Sequence, residues 1–344
     1  DTYKNILKLS DELDLIIKKN DRCLLISENR PEWMISDLAI MLAGGITVPA
    51  YTTYTERDYE YLIDDCEPTI IIVSDETQYK KVKNIIKKKK FIKKIFSFES
   101  FKNDFDIICT KNLFINQHHI QKDFLNLGIK RNDLACIIYT SGTQGNPKGV
   151  MLSHGGILSN CDGSISLLKK IISKQPKFLT WLPLSHSYEH TVQFVQIAVG
   201  AQVFYAESID KLIKNMGDCK PDIMTAVPRF YQNLYQKINS NFIKAKGLKN
   251  YLILKTLELG KKELFKKKFT LYENIQNYIC KKLVRKKIKS QFGGSLKAFI
   301  SGGGALDFEV GVFLNSIGLP TLQGYGLTET SPVVSCNPIN DIRI

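Results

Sequence analysis

The chain has 344 residues, 44% of them hydrophobic, and carries 48 Lys and Arg against 34 Asp and Glu, a net charge of +14. That apolar content is enough for one large domain or two ordinary ones with substantial cores, which excludes a disordered class. The charge alone admits nucleic acid, an anionic membrane surface or a polyanionic small molecule as partner.

The eight cysteines are scattered singly, without CxxC pairs or metal-ligand spacing, and suit a reducing, cytoplasmic setting. The most apolar stretch, Leu38 to Tyr51, is interrupted by Gly44, Gly45 and Pro49, whereas a membrane span needs about 20 apolar residues. Neither a span nor a signal peptide is visible. Lysine runs such as Lys87 to Lys90 and Lys286, Lys287 and Lys289 lack the interleaved aromatics of a single-strand stacking surface. They are read as solvated helix faces, and nucleic acid is not an expected partner. A basic face would favour anionic lipid, so peripheral membrane association is left open and no anchor is inferred. The chain opens at Asp1 and stops at Ile344 straight after a motif-rich stretch, so it is expected to be a piece of a longer chain.

In chain order, Cys23 to Ser27 predicts a strand. A helix from Glu32 follows, with Ile35, Leu38, Ala39 and Leu42 at i, i+3, i+4 and i+7 and Pro31 in its first turn. Thr69 to Val73, a Lys-rich helix, and Lys94 to Phe98 continue the alternation that predicts a parallel sheet flanked by helices. A less regular stretch, Cys109 to Asn132, holds His118 and His119, read as surface residues. A second series comprises the runs Leu134 to Tyr139, Phe178 to Trp181, Gln202 to Tyr205, Ile223 to Ala226 and Leu296 to Ile300. Between about Phe230 and Gln291 the chain is helical and basic, and Ile275, Tyr278, Ile279 and Leu283 predict a buried stripe with lysines outside. The expected fold class is α/β, with two doubly wound sheet lobes over about residues 1–132 and 133–344, an intertwining of the two being left open.

The sharpest chemical signal is Tyr139-Thr-Ser-Gly-Thr-Gln-Gly-Asn-Pro-Lys-Gly149. Gly142 and Gly145 let the backbone approach oxygens and turn its N–H groups toward them, Thr140, Ser141 and Thr143 add hydroxyl donors, and Lys148 adds a mobile charge. This is a phosphate loop in composition, but its spacing is not G-x-x-x-x-G-K-[ST], so an ordinary kinase or NTPase loop is not expected. Further on, Gly302, Gly303 and Gly304 follow an apolar run, where bare backbone can face a planar base. Tyr325, between Gly324 and Gly326, can expose an aromatic face for stacking. Glu329 is a hard oxygen ligand suited to Mg²⁺. His186 and His190 stand at i and i+4, but lack the His-Glu-x-x-His order and a third ligand nearby, so zinc is set aside.

The full loop closely resembles the signature of the adenylate-forming superfamily, which includes acyl-CoA synthetases, luciferases and peptide-synthetase adenylation domains. Ser301-Gly-Gly-Gly-Ala-Leu306 resembles its adenine-side segment, Gln323-Gly-Tyr-Gly-Leu-Thr-Glu329 its nucleotide and magnesium segment, and Trp181-Leu-Pro-Leu-Ser-His-Ser-Tyr-Glu-His190 its acid-side segment. The resemblance implies ATP or AMP bound by Thr140, Ser141, Gly142, Thr143, Gln144, Gly145, Lys148, Gly302, Gly303, Gly304, Gly324, Tyr325, Gly326 and Thr328. It places Thr140 and Glu329 near Mg²⁺, Thr328 near the α-phosphate and Tyr325 on adenine. His186 and His190 are read as lining the acid channel, and Thr140, Lys148, Thr328 and Glu329 as the catalytic set.

Asn29-Arg-Pro-Glu-Trp33 and Val227-Pro-Arg-Phe-Tyr-Gln-Asn-Leu-Tyr235 look most like long-chain acyl-CoA synthetases, implying a fatty acid, ATP and CoA as substrates. Gln144 departs from a frequent threonine and Gly304 from a frequent alanine. The ribose-binding Asp, the hinge and the small C-terminal domain with its catalytic Lys have no counterpart here, so the chain alone is expected to turn over poorly. The alternatives are another acid-adenylating ligase, with an aryl or amino acid or a carrier-protein acceptor, and a non-catalytic nucleotide- or acyl-binding fragment.

Overall fold

The computed structural model describes residues 1–102, 105–115, 128–140 and 145–344. Two compact units divide the chain. The first comprises residues 1–159 and 183–193, the second residues 160–182 and 194–344. The crossing thus falls later than the expected boundary at residue 132, because the strand that begins at Leu134 pairs into the first sheet.

Seven strands form the first sheet: β1 (Arg22–Ile26), β2 (Ile46–Ala50), β3 (Ile70–Val73), β4 (Lys94–Ser97), β5 (Ile107–Cys109), β6 (Leu134–Thr140) and β7 (Lys148–Ser153). Their order is β5-β4-β3-β1-β2-β6-β7, parallel throughout except for the antiparallel β6–β7 hairpin. The central strands β1 and β3 are almost continuously apolar and buried, as parallel strands covered by helices must be. Leu24, Ile26, Ile71 and Val73 meet Tyr59, Leu62 and Val82 from the helices Glu56–Cys66 and Glu76–Ile86. Thr55 and Asp75 cap the starts of those helices by accepting from the N–H groups of Asp58 and Gln78.

β2 was not among the expected strands. Gly44, Gly45 and Pro49 break its apolar run, yet Gly44 lies in the turn into it with φ +75° and all five strand residues are buried. The helix Pro31–Leu42 is buried on nearly every side and not along one stripe, because the helix Thr2–Asp14 packs on it as well as the sheet.

The second sheet comprises β8 (Lys177–Thr180), β9 (Gln202–Tyr205), β10 (Ile223–Ala226), β11 (Ala298–Ser301), β12 (Thr321–Gly326) and β13 (Val333–Cys336), in the order β13-β12-β11-β10-β8-β9. All its pairings are parallel except β12–β13. Tyr231, Phe299, Phe313 and Leu314 stand in its core. These two parallel-stranded units with helices bear out the expected fold class.

The helix Leu271–Cys280 corrects an expectation. Ile275, Tyr278, Ile279 and Leu283 are exposed, and the buried face is Asn277 and Cys280, continued by Arg285 and Ile288 in the π turn and helix that follow. The polar anchors explain this. Arg285 donates to Glu263 Oε2 at 2.9 Å and to the Ser316 carbonyl at 2.9 Å, and Asn277 donates to Glu263, so one arginine and one amide turn the inward face away from the apolar stripe.

All eight cysteines are free. Cys23, Cys66 and Cys136 are buried in the first unit and Cys161, Cys219 and Cys280 in the second, while Cys109 and Cys336 are half-buried. Among the described residues no helix is long and apolar enough to cross a membrane.

Candidate functional site: strand-end loops and a buried latch

Two described residues of the phosphate-type loop lie on a hairpin: Thr140 ends β6 and Lys148 begins β7. Thr140 stands opposite Lys148 and Tyr139 opposite Gly149, so the hairpin register brings the first hydroxyl and the lysine together across one rung. Lys148 is exposed and Thr140 half-buried. Gly145 has φ +107°, where only glycine is unstrained. Gly149 is required by space, since a Cβ there would lie 2.8 Å from Ile137 Cγ2. Two tyrosines hold the hairpin to the first unit: Tyr61 Oη donates to the Pro147 carbonyl at 2.9 Å, and Tyr139 Oη donates to Asp65. Ser141, Gly142, Thr143 and Gln144 lie outside the described residues, as do His118 and His119.

In the second unit the predicted residues leave the carboxyl ends of parallel strands, where open α/β sheets place their ligands. Gly302, Gly303 and Gly304 follow β11; the Gly302 N–H donates to the Ala226 carbonyl at the end of β10. Gly303 has φ +75°, and a Cβ at Gly304 would meet Pro228 at an ordinary 3.5 Å, consistent with an alanine being tolerated there. Ser301 pairs with Gln323, which sets Gly324 beside the end of β11 and so brings the two glycine segments together. Tyr325 is 62% exposed, the unpacked aromatic face that stacking requires.

Beyond it, Thr328–Thr330 form one 3₁₀ turn. Asn160 grips that turn from both sides, donating to the Thr330 carbonyl at 3.2 Å and accepting from the Val333 N–H at 2.7 Å. Gly326 has no alternative, because a Cβ would lie 2.1 Å from the Pro332 carbonyl oxygen. Glu329 is exposed and pairs with no basic side chain among the described residues. A carboxylate and a hydroxyl at Glu329 and Thr140 are hard oxygen donors of the kind Mg²⁺ takes. Among the described residues no group of three or more His, Cys, Asp or Glu side chains is placed to hold a metal ion.

The two histidines do not act as a pair. His186 is exposed, and its Nδ1 accepts from the Tyr188 N–H at 3.1 Å at the start of the helix Ser187–Ala198. Protein around its ring lowers its pKa even so. His190 is 2% exposed and its Nε2 lies 2.8 Å from Asp37 Oδ2. Burial alone would lower its pKa, but the Asp37 charge and hydrogen bond raise it to about 10. His190 is therefore charged inside the first unit, and unlike His186 it presents no exposed ring to a substrate channel in this structure. Its side chain is taken by the core.

That core is a latch which sequence reasoning missed. Trp33 packs edge-on against His190 at 5.1 Å, Asn29 Oδ1 accepts from the Leu184 N–H at 3.0 Å, and Cys136 Sγ accepts from the His190 ring. The Asn29-Arg-Pro-Glu-Trp33 string thus fastens the segment carrying His186, while Arg30 pairs with Glu32 at 2.9 Å and Glu99 at 3.3 Å. The second long-chain-like string has a parallel duty. Trp181 Nε1 donates to the Thr225 carbonyl at 2.7 Å, Phe230 packs on Trp181, and Tyr231 Oη donates to the Ile300 carbonyl at 3.0 Å, directly behind the glycine segment. The two strings themselves were visible in sequence, but their partners are far away in the chain.

A cavity of about 370 Å³ lined by Lys87, Lys89, Lys93 and Lys94 also occurs in the first unit. Lys89 and Lys94 already pair with Asp64 and Asp106, and Lys93 donates to the Ile16 carbonyl.

Long-chain-fatty-acid–CoA ligase FadD15 of Mycobacterium bovis is 25% identical over 334 residues, covering 96% of this chain and 55% of that protein. Long chain acyl-CoA synthetase 5 of Arabidopsis thaliana is 30% identical over 355 residues, covering 96% and 51%. The chain thus spans about half the length of the curated relatives it matches. Among solved structures, ATP-bound MatB from Rhodopseudomonas palustris superposes with a TM-score of 0.71 at 22% identity, covering 99% of this chain and 56% of that one, a likeness of fold. The AMP-binding enzyme family matches residues 1–343. Because that match runs through both units and all the strand-end loops, the whole chain belongs to the AMP-binding enzyme family.

Proposed function

We propose that this chain is the nucleotide- and acid-binding portion of a long-chain fatty acid–CoA ligase that activates its acid as an acyl-adenylate. The observation that carries the reading is the β6–β7 hairpin, which sets the Thr140 hydroxyl and the Lys148 ammonium on facing strands around a glycine-bearing loop. In the proposed reaction a fatty-acid carboxylate attacks the α-phosphate of ATP, the bond to the β-phosphate oxygen breaks, and pyrophosphate leaves with its electron pair. The CoA thiolate then attacks the acyl carbonyl and AMP departs. The carboxylate is already ionised, so the protein's work in the first step is positioning and charge neutralisation.

Lys148 and the loop's backbone N–H groups are assigned to the phosphates, Thr328 to the α-phosphate, the glycines 302–304 and Tyr325 to adenine, and His186 to the acid side. Thr140 and Glu329 are assigned to Mg²⁺, which when bound would offset phosphate charge. Long-chain specificity is supported by the two strings shared in character with such ligases and by the named relatives. A cytoplasmic location is part of the same reading.

The test is acid-dependent exchange of labelled pyrophosphate into ATP, using the full-length protein and a panel of fatty, aryl and amino acids. Exchange confined to long fatty acids is expected, and Lys148→Ala should lower it by about 10²-fold, the scale of losing one charge-stabilising donor. Exchange with aryl or amino acids alone would replace the substrate class. Mg-ATP binding with no exchange for any acid would reduce the chain to a binding module.

A further inference from the structure

The positive charge of this chain is concentrated. Residues 244–291 hold 14 lysines and one arginine against three glutamates, a surplus of 12, while the whole chain has a surplus of 14. The other residues are therefore nearly neutral in sum. The three glutamates are already engaged locally: Glu258 with Lys255, Glu263 with Lys281 and Arg285, and Glu273 with Lys262. Lys244, Lys246, Lys249, Lys267, Lys268 and Lys287 are exposed and pair with no carboxylate among the described residues.

The same segment carries large apolar side chains in water. On the helix Leu271–Cys280, Leu271, Ile275 and Tyr278 recur at i, i+4 and i+7 and are 86%, 60% and 57% exposed. The π turn Lys281–Arg285 extends the row to Leu283 at 58%. On the helix Gly247–Leu264, exposed Leu248, Tyr251 and Leu254 recur at i, i+3 and i+6. Gln276 donates to Tyr251 Oη at 3.1 Å, joining the two rows at one edge. Lys282 lies 4.7 Å over the Tyr278 ring, so cation and apolar row share a surface.

We propose that this face, formed by the helices Gly247–Leu264 and Leu271–Cys280 with the π turn, docks on an anionic lipid bilayer. Aliphatic and tyrosyl side chains flanked by unpaired lysines are the composition of an interfacial lipid-binding surface: the apolar row enters the headgroup boundary, tyrosine sits at that level, and lysine meets anionic headgroups. A nucleic-acid groove has a use for lysine and tyrosine but none for exposed Leu271, Ile275 and Leu283. The surface lies wholly in the second unit and does not depend on the ligase reading, because its readout is vesicle binding.

The experiment is co-sedimentation of the full-length protein with vesicles of phosphatidylcholine alone or mixed with phosphatidylserine, at low and high salt. Binding to the anionic vesicles about 10-fold or more above the neutral ones, falling as salt rises, is expected. Ile275→Ser with Leu283→Ser should weaken it by about 10-fold with the melting temperature unchanged, and Lys267→Glu with Lys268→Glu should abolish the preference for phosphatidylserine. The proposal is overturned by no vesicle binding, by equal binding to both vesicle types, or by a serine pair that leaves binding intact. Salt-sensitive binding to RNA or DNA in place of vesicles would likewise overturn it.

Discussion

In the first unit a charged pair, His190 and Asp37, lies wholly inside, while in the second unit a row of leucine, isoleucine and tyrosine lies outside and a charged residue, Arg285, faces in. The difference shows what decides burial in each place. His190 and Asp37 Oδ2 pair at 2.8 Å and are walled by Trp33 and Cys136, so the two charges offset one another, while Asp37 Oδ1 has no hydrogen-bond partner among the described residues. Arg285 is held by Glu263, which keeps one side toward water, and by a backbone carbonyl. The apolar row meets no second layer among the described residues.

The sharpest way to break this comparison is Asp37→Ala. It strands a buried imidazolium, and urea denaturation should record a loss of about 3–5 kcal/mol. A loss near zero would mean the pair is not what holds the latch. The pH dependence sharpens the same point. His190 is raised to about 10 in the folded protein, above the ordinary imidazole value of about 6.5. Its contribution is therefore fully present below the unfolded value and lost as pH rises through the folded one. The stability gap between the wild type and Asp37→Asn should accordingly be widest below about pH 6.5 and close toward pH 10.

Arg285→Ala should cost less, about 1–3 kcal/mol, because Glu263 keeps Lys281 and solvent while the Ser316 carbonyl loses its donor. Smallest of all is Ile275→Ser, which should move stability by no more than about 0.5 kcal/mol since the side chain already stands in water. A melting temperature that falls as far as for Arg285→Ala would show that the row is covered in the protein as it exists.

Much of the fold could be read from the pattern of apolar runs and helical periods. β1, β3, β10 and β11 are short apolar runs bounded by helical patterns, and the order of the loops follows from them. β2 was hidden by Pro49, since a proline in an interior strand argues against the strand. The stripe on the helix Leu271–Cys280 had the right period and the wrong side. Periodicity finds a face but not its partner, and here the partner is Glu263 offering charge. Of the candidate site, the glycine segments could be picked out by their resemblance to a family signature, and the structure sets them at the ends of β11 and β12. The latch could not be, since Asn29 and Leu184 are 155 residues apart and His190 and Asp37 are 153 apart.

The cysteines have a practical consequence. Each unit encloses three free thiols and leaves one half-covered, and burial raises the pKa of Cys66 to about 12, so its sulfur is both hidden and unionised in the folded state. A thiol-specific alkylating reagent followed by mass mapping would therefore time the opening of each half separately. Early labelling at Cys23, Cys66 and Cys136 would report the half that carries the hairpin, and early labelling at Cys161, Cys219 and Cys280 the half that carries the glycine segments.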